Sequence, residues 1–95
     1  MPGGWVYVMA NRPNGTLYVG VTGHLALRIW EHRAGLVDGF TRRYGLKHLV
    51  HVEYYDNIRV AIQRANNMKH WPRLWKLRVI AASNPNWDEL YDQLI

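Results

Sequence analysis

Residues 5–22, WVYVMANRPNGTLYVGVT, decide the fold. Val6, Val8 and Ala10 alternate with Trp5, Tyr7 and Met9, the period-two pattern of a strand whose side chains point to opposite faces. Pro13-Asn14-Gly15 then interrupts the pattern. Asn-Gly is the strongest short hairpin signal, because both residues tolerate positive φ. Thr16–Thr22 alternates again, with Leu17, Val19 and Val21 against Tyr18, Gly20 and Thr22. With Asn14-Gly15 as a two-residue loop, Val8 lies opposite Val21, Met9 opposite Gly20 and Tyr7 opposite Thr22. That register gathers the aliphatic residues on one face and Tyr7, Tyr18, Gly20 and Thr22 on the other.

Beyond the hairpin, Leu25–Ala34 reads as a helix with Leu25, Ile29 and His32 at near-helical spacing, Arg28 beside them and Gly35 as its stop. Leu36–Lys47 has no clear period and reads as a long basic loop. His48–Tyr55 is a third strand, Val50 and Val52 alternating with His51 and Glu53. Asp56 or Asn57 caps a second helix with an apolar face of Ile58, Ala61, Ile62, Ala65 and Met68. Trp71-Pro72 ends it, since proline disfavours helical geometry in the residue before it. A third helix covers about Arg73–Ala82, and Asn86 with Glu89 forms a capping-box pattern for a short final helix to Leu94. The order β-β-α-β-α-α-α predicts an α+β fold: a small, mainly antiparallel three-stranded sheet led by a β-hairpin and flanked by helices.

A chain of 95 residues is expected to form one domain, residues 1–95, and its 48% apolar content with five Trp and six Tyr excludes a disordered chain. Trp71, Trp75 and Trp87 are expected to help fill so small a core. The chain has no Cys, which excludes disulfides, thiol nucleophiles and Cys-based metal sites. Its apolar runs fall far short of the ~20 residues that span a bilayer, and the first residues lack a signal-peptide pattern. A soluble cytoplasmic protein without a membrane partner, monomeric or weakly dimeric, is the expectation. Twelve Lys and Arg against seven Asp and Glu leave a net charge of +5. That balance suits a nucleic-acid partner, DNA with RNA not excluded.

Tyrosines on a strand are ordinary, since the ring suits a pleated surface and the hydroxyl gives a polar tip. Gly20 is less ordinary, because glycine inside a strand costs stability and marks a close approach of backbone or ligand. Arg28 and His32, four residues apart, project from one side of the first helix: a fork for phosphate oxygens and a proton acceptor near neutral pH, or a plain solvated face. Arg42, Arg43, Tyr44, Lys47 and His48 offer a phosphate-tracking loop; Lys69, His70, Arg73, Lys76 and Arg78 add a basic stripe. The histidines lack zinc-ligand spacing.

Taken together, Trp5-Val6-Tyr7, Leu17-Tyr18-Val19-Gly20, Arg28 and His32 resemble the signature of the GIY-YIG nuclease family. The chain is closest in kind to small single-domain bacterial members related to the nuclease module of the excision-repair incision subunit. The likeness extends through Trp30-Glu31-His32-Arg33, Gly39-Phe40-Thr41, Lys69-His70-Trp71, Trp75-Lys76 and Asn84-Pro85, with Trp5-Val6 in place of Gly-Ile. It implies an endonuclease that hydrolyses a DNA phosphodiester with one divalent metal, structure-selective or weakly sequence-specific, in DNA repair. By position, Tyr7 would help deprotonate the attacking water and Tyr18 would hydrogen-bond the scissile phosphate or a water of the metal. Arg28 would stabilise charge growing on phosphate oxygens, and His32 would contact phosphate or base. Gly20 would let the strand pass beneath the substrate, and Thr22, Arg42, Arg43 and Lys69 join the substrate-binding set.

The resemblance also implies a Glu on the second helix to hold Mg²⁺ or Mn²⁺, inside a pattern like Ile-x-Arg-Glu. The matching segment is Ile62-Gln63-Arg64-Ala65, so the ligand position holds Ala65. A naturally degenerate member, an engineered Glu-to-Ala change, and rescue by Glu31, Glu53 or Asp56 are the competing explanations. Survival of the rest of the signature favours engineered or recent loss over rescue. The expectation is an impaired enzyme that binds no metal and retains phosphate affinity; a non-catalytic nucleic-acid-binding module is the alternative.

Overall fold

The computed structural model describes residues 2–37 and 39–94. The chain runs β1 (Gly4–Ala10), β2 (Leu17–Thr22), α1 (Leu25–Arg33), α2 (Phe40–Arg43), β3 (His48–Tyr55), α3 (Ile58–His70) and α4 (Arg73–Ser83), then a 3₁₀ turn at Tyr91–Gln93. The strands form one antiparallel sheet in the order β2-β1-β3, which makes the first strand central. The α+β architecture led by a hairpin is as predicted.

The hairpin register differs from the prediction. Val6 lies opposite Val21, Tyr7 opposite Gly20 and Val8 opposite Val19. Asn14-Gly15 is not a two-residue loop. Arg12–Gly15 forms a β-turn inside a longer connection, the Gly15 N–H donating to the Arg12 carbonyl at 2.9 Å with Asn14 at φ 56°. Pro13 followed by a residue of positive φ is the type II pattern. Asn11 Oδ1 accepts from the Thr16 N–H at 2.9 Å and closes the loop. The displacement is two residues, so every side chain keeps its predicted face.

Those faces pack differently. Val6, Val8, Ala10, Val19 and Val50 meet Ala61, Ala65 and Met68 of α3 and Ile80 of α4. Tyr7 and Met9 pack on the other side with Leu25 and Ile29 of α1, Leu46 and Leu49. A bulge interrupts the β1–β3 pairing, since Val8 faces His51 while Met9 faces Leu49. The extra residue, Val50, joins the α3 side and Val52 the α1 side, so the predicted Val50/Val52 face does not exist.

Four more expectations are corrected. The supposed loop 36–47 contains the one-turn α2, with Asp38 outside the described residues. On α3, Ile62 is exposed and the buried stripe is Ala61, Ala65 and Met68; two small alanines let the helix approach β1. Asn57, not Asp56, caps it by accepting from the Arg59 N–H at 2.9 Å. Trp75 is exposed rather than core. The final helix is only the 3₁₀ turn, because Glu89 Oε1 accepts from the N–H groups of Leu49 and Tyr91, both at 2.9 Å. Asn84 anchors this segment: its Nδ2 donates to the carbonyls of Val50 at 3.0 Å and Asp88 at 2.9 Å.

Candidate active site

The sheet places Tyr7 at the middle of its central strand, with the ring crossing Gly20 of β2. A Cβ at position 20 would collide with that ring and its hydroxyl. Glycine is therefore needed here for Tyr7 itself. The Tyr7 hydroxyl reaches His32 Nε2 of α1 at 2.9 Å, and His32 Nδ1 lies 3.0 Å from Thr41 Oγ1 of α2. All three residues are buried. Tyr18 stands nearer solvent, its ring centroid 6.3 Å from that of Tyr7 and 5.7 Å from that of His32. Arg28, one turn before His32, is partly exposed and pairs weakly with Glu31 at 3.8 Å.

Burial lowers the basicity of His32, Arg28 lowers it further, and Glu31 opposes them in part. Burial likewise raises the Tyr7 phenol far above its ordinary value, Tyr18 adding to the rise and Arg28 offsetting part of it. Near neutral pH both groups are uncharged. A neutral imidazole carries one proton: with Nδ1–H donating to Thr41, Nε2 accepts the Tyr7 hydroxyl. The arrangement can serve as a proton relay. Tyr7 can take a proton from a water as its own passes to His32 Nε2, which avoids forming a buried phenolate. His32 is only 3% exposed and Tyr7 2%, and the imidazole's hydrogen-bond partners are Tyr7 and Thr41.

The other predicted residues divide. Thr22 lies on the Tyr7 face, and its Oγ1 accepts from the His24 N–H at 3.0 Å at the start of α1. Lys69 lines a cleft with Tyr18. Arg42 and Arg43 are exposed on α2, where Arg43 lies over the Tyr44 ring at 5.6 Å. Thr41 was not among the candidates. Its signal was the Gly39-Phe40-Thr41 agreement, obscured because a single helical turn has no readable period.

Ala65 lies on the far side of the sheet from this cluster, wholly buried among Val6, Val8 and Val19. It is also one helical turn before Lys69, on the flank of α3 that reaches the edge of β2. The residues present do not fit a divalent cation. A hard cation needs oxygen ligands, mostly carboxylates; no group of three or more His, Asp or Glu that could hold one occurs among the described residues. Glu53 is already engaged, by Arg64 at 2.9 and 3.1 Å, His51 at 2.8 Å and Tyr55 at 2.8 Å. Burial alone would push its carboxyl up, but these hydrogen bonds hold it far below the usual carboxylate range. Asp56 sits in the exposed turn before α3.

Residues 3–78 match the GIY-YIG catalytic domain. A UPF0213 protein of Natronomonas pharaonis is 36% identical over 77 residues, covering 81% of this chain and 89% of that protein. A UPF0213 protein of Clostridium perfringens is 32% identical over 80 residues, covering 84% and 85%. The solution NMR structure of a UPF0213 protein from Bacillus halodurans shares the fold, with a TM-score of 0.57 over 92% of each chain at 23% identity. Among the described residues no helix is long and apolar enough to cross a membrane.

Proposed function

The chain belongs to the GIY-YIG family, and from that membership we propose that it is a DNA-binding member of this endonuclease fold whose phosphodiester hydrolysis is disabled at Ala65. The observation that carries the reading is the complete Tyr7–His32–Thr41 relay beside Tyr18 and Arg28, in a molecule whose position 65 offers no oxygen. Arg28 presents the planar fork that binds two phosphate oxygens. Tyr18, nearer solvent than Tyr7, offers its hydroxyl to the same phosphate. Tyr7 accepts a proton from a water as His32 accepts the phenolic one. The family generally uses a divalent metal, which would supply charge neutralisation that Arg28 alone cannot provide. Phosphate binding therefore persists while bond cleavage does not.

The burial of Ala65 in an apolar cluster favours the second reading, a binding module in which the position is simply core. Cleavage of single-stranded, duplex and branched DNA with Mg²⁺ or Mn²⁺, comparing this chain with Ala65→Glu, separates the two. Restored electrostatic stabilisation should raise cleavage at least about 100-fold, with thermal unfolding confirming that the variant is folded. Binding without cleavage by either protein identifies the module. Cleavage by the chain as it stands overturns the proposed impairment.

A further inference from the structure

Two clefts adjoin along the outer edge of β2. One lies beside Tyr18, walled by Val19, Phe40 and Lys69; the other lies between the β1–β2 loop and α4, walled by Arg12, Thr16 and Arg73. Both are lined by Leu17 and Lys76, so they form one groove that starts at the candidate active site and runs toward the loop. Its lining includes Arg12, Lys69, Arg73 and Lys76 and no Asp or Glu. Lys69 lies in the last turn of α3, and Arg73 and Lys76, three residues apart, lie on one side of α4.

We infer that this groove carries one phosphodiester strand from the Tyr18 end of the site to the β1–β2 loop, with Arg12, Lys69 and Lys76 contacting its phosphates. The inference rests on the proposed DNA-binding function and specifies the path of the strand. Arg73 has a different part: its Nη2 donates to the carbonyls of Asn14 at 2.8 Å and Gly15 at 2.6 Å, pinning the loop to α4. It is a positioning residue that holds Arg12 at the groove wall. Lys76 makes one long hydrogen bond, 3.3 Å from Nζ to the Lys69 carbonyl, and its ammonium has further donors for a phosphate. Phe40, half exposed at the Tyr18 end and tilted against Tyr44 with ring centroids 4.8 Å apart, adds an aromatic surface against which a base can stack. Cations in a row with an aromatic at one end are the features that hold a single strand without reading its sequence. Arg42 and Arg43 line neither part of the groove.

The test is fluorescence anisotropy with the intact chain, a labelled single-stranded oligonucleotide and a duplex of equal length, across a salt series. Arg12→Ala and Lys76→Ala are each expected to weaken single-strand binding several-fold and to lower the salt slope by about 0.7, the share of one phosphate contact. Arg59→Ala, exposed on α3 outside the groove, should change affinity less than twofold. Arg73→Ala should weaken binding without a further slope change when combined with Arg12→Ala. If the chain binds DNA but Arg12→Ala and Lys76→Ala behave like Arg59→Ala, the groove is wrong and the DNA-binding function stands. If the groove variants weaken duplex binding alone, the single-strand path is overturned. If the chain shows no salt-sensitive binding to either probe, both fall.

Discussion

The two faces of β1 solve opposite problems. Toward α3 and α4 it presents Val6, Val8 and Ala10 to alanines, Met68 and Ile80, with no polar atom between them that needs a partner. Toward α1 it presents Tyr7, whose hydroxyl sits in a buried chain through His32 to Thr41. The period-two geometry of one strand thus separates an apolar face from a hydrogen-bonded one. Position 65 belongs to the packing face although the expected ligand served the chemical one. Ala65 places a methyl in that apolar cluster, and no hydrogen bond of the Tyr7–His32–Thr41 chain involves it.

Met68→Ala tests that separation with the largest expected effect. Truncating a fully buried side chain should cost about 3 kcal/mol, measured by denaturant unfolding, while DNA affinity at moderate temperature stays within twofold. A large loss of affinity in the folded variant would couple the faces. Next is Glu53→Gln, which removes the charge that holds Arg64 and His51. As the pair is partly solvated, the expected loss is about 2 kcal/mol rather than the larger cost of a fully buried pair.

On the chemical face, Thr41→Val deprives the His32 Nδ1–H of its acceptor and should cost about 1–2 kcal/mol. It should also move the imidazole proton to Nε2, visible in the histidine nitrogen shifts; an unchanged tautomer would break the relay assignment. Gly20→Ala should cost a similar amount, about 1–2 kcal/mol, because the buried Tyr7 ring can leave the added methyl only by breaking its hydrogen bond to His32. The displaced hydroxyl should also abolish any cleavage regained by Ala65→Glu.

The pH profile of the melting temperature sharpens the contrast further. His32 binds a proton less readily folded than unfolded, so its neutral form is favoured in the native state. Stability should begin to fall as pH drops below the unfolded value near ~6.5, and that component should vanish in His32→Gln. Glu53 stays ionised in the fold to lower pH than an unfolded carboxylate near ~4.3. Its contribution is complete above that value, is lost as pH falls further, and should vanish in Glu53→Gln.

Alternation makes both faces of the hairpin legible in the sequence, and the spacing of Arg28 and His32 places them on one helix. The register was not legible. Asn14-Gly15 invites a tight loop, but Pro13 sets negative φ at the preceding position and turns Arg12–Gly15 into a different turn within a longer connection. The slip left Tyr7, Tyr18 and Gly20 on their face while changing which of them touch: Gly20 faces Tyr7 rather than Met9. The Val50 bulge left no mark in the residue pattern, and Thr41 was hidden in a turn too short to show a period. Ile62 misled because hydrophobicity alone cannot distinguish a side chain that packs from one that borders solvent.

The anchoring of residues 84–90 on β3 bears on self-association. A three-stranded sheet with its first strand central has two outer edges, each able to pair with another chain. At Leu49, Glu89 takes the outward N–H and the Leu90 N–H takes the outward carbonyl, so another strand cannot pair there. The opposite edge, along β2, is bordered instead by lysines, which repel a like-charged copy while attracting a polyanion. The β3 edge is closed to a further strand at Leu49, whereas the β2 edge carries the basic groove.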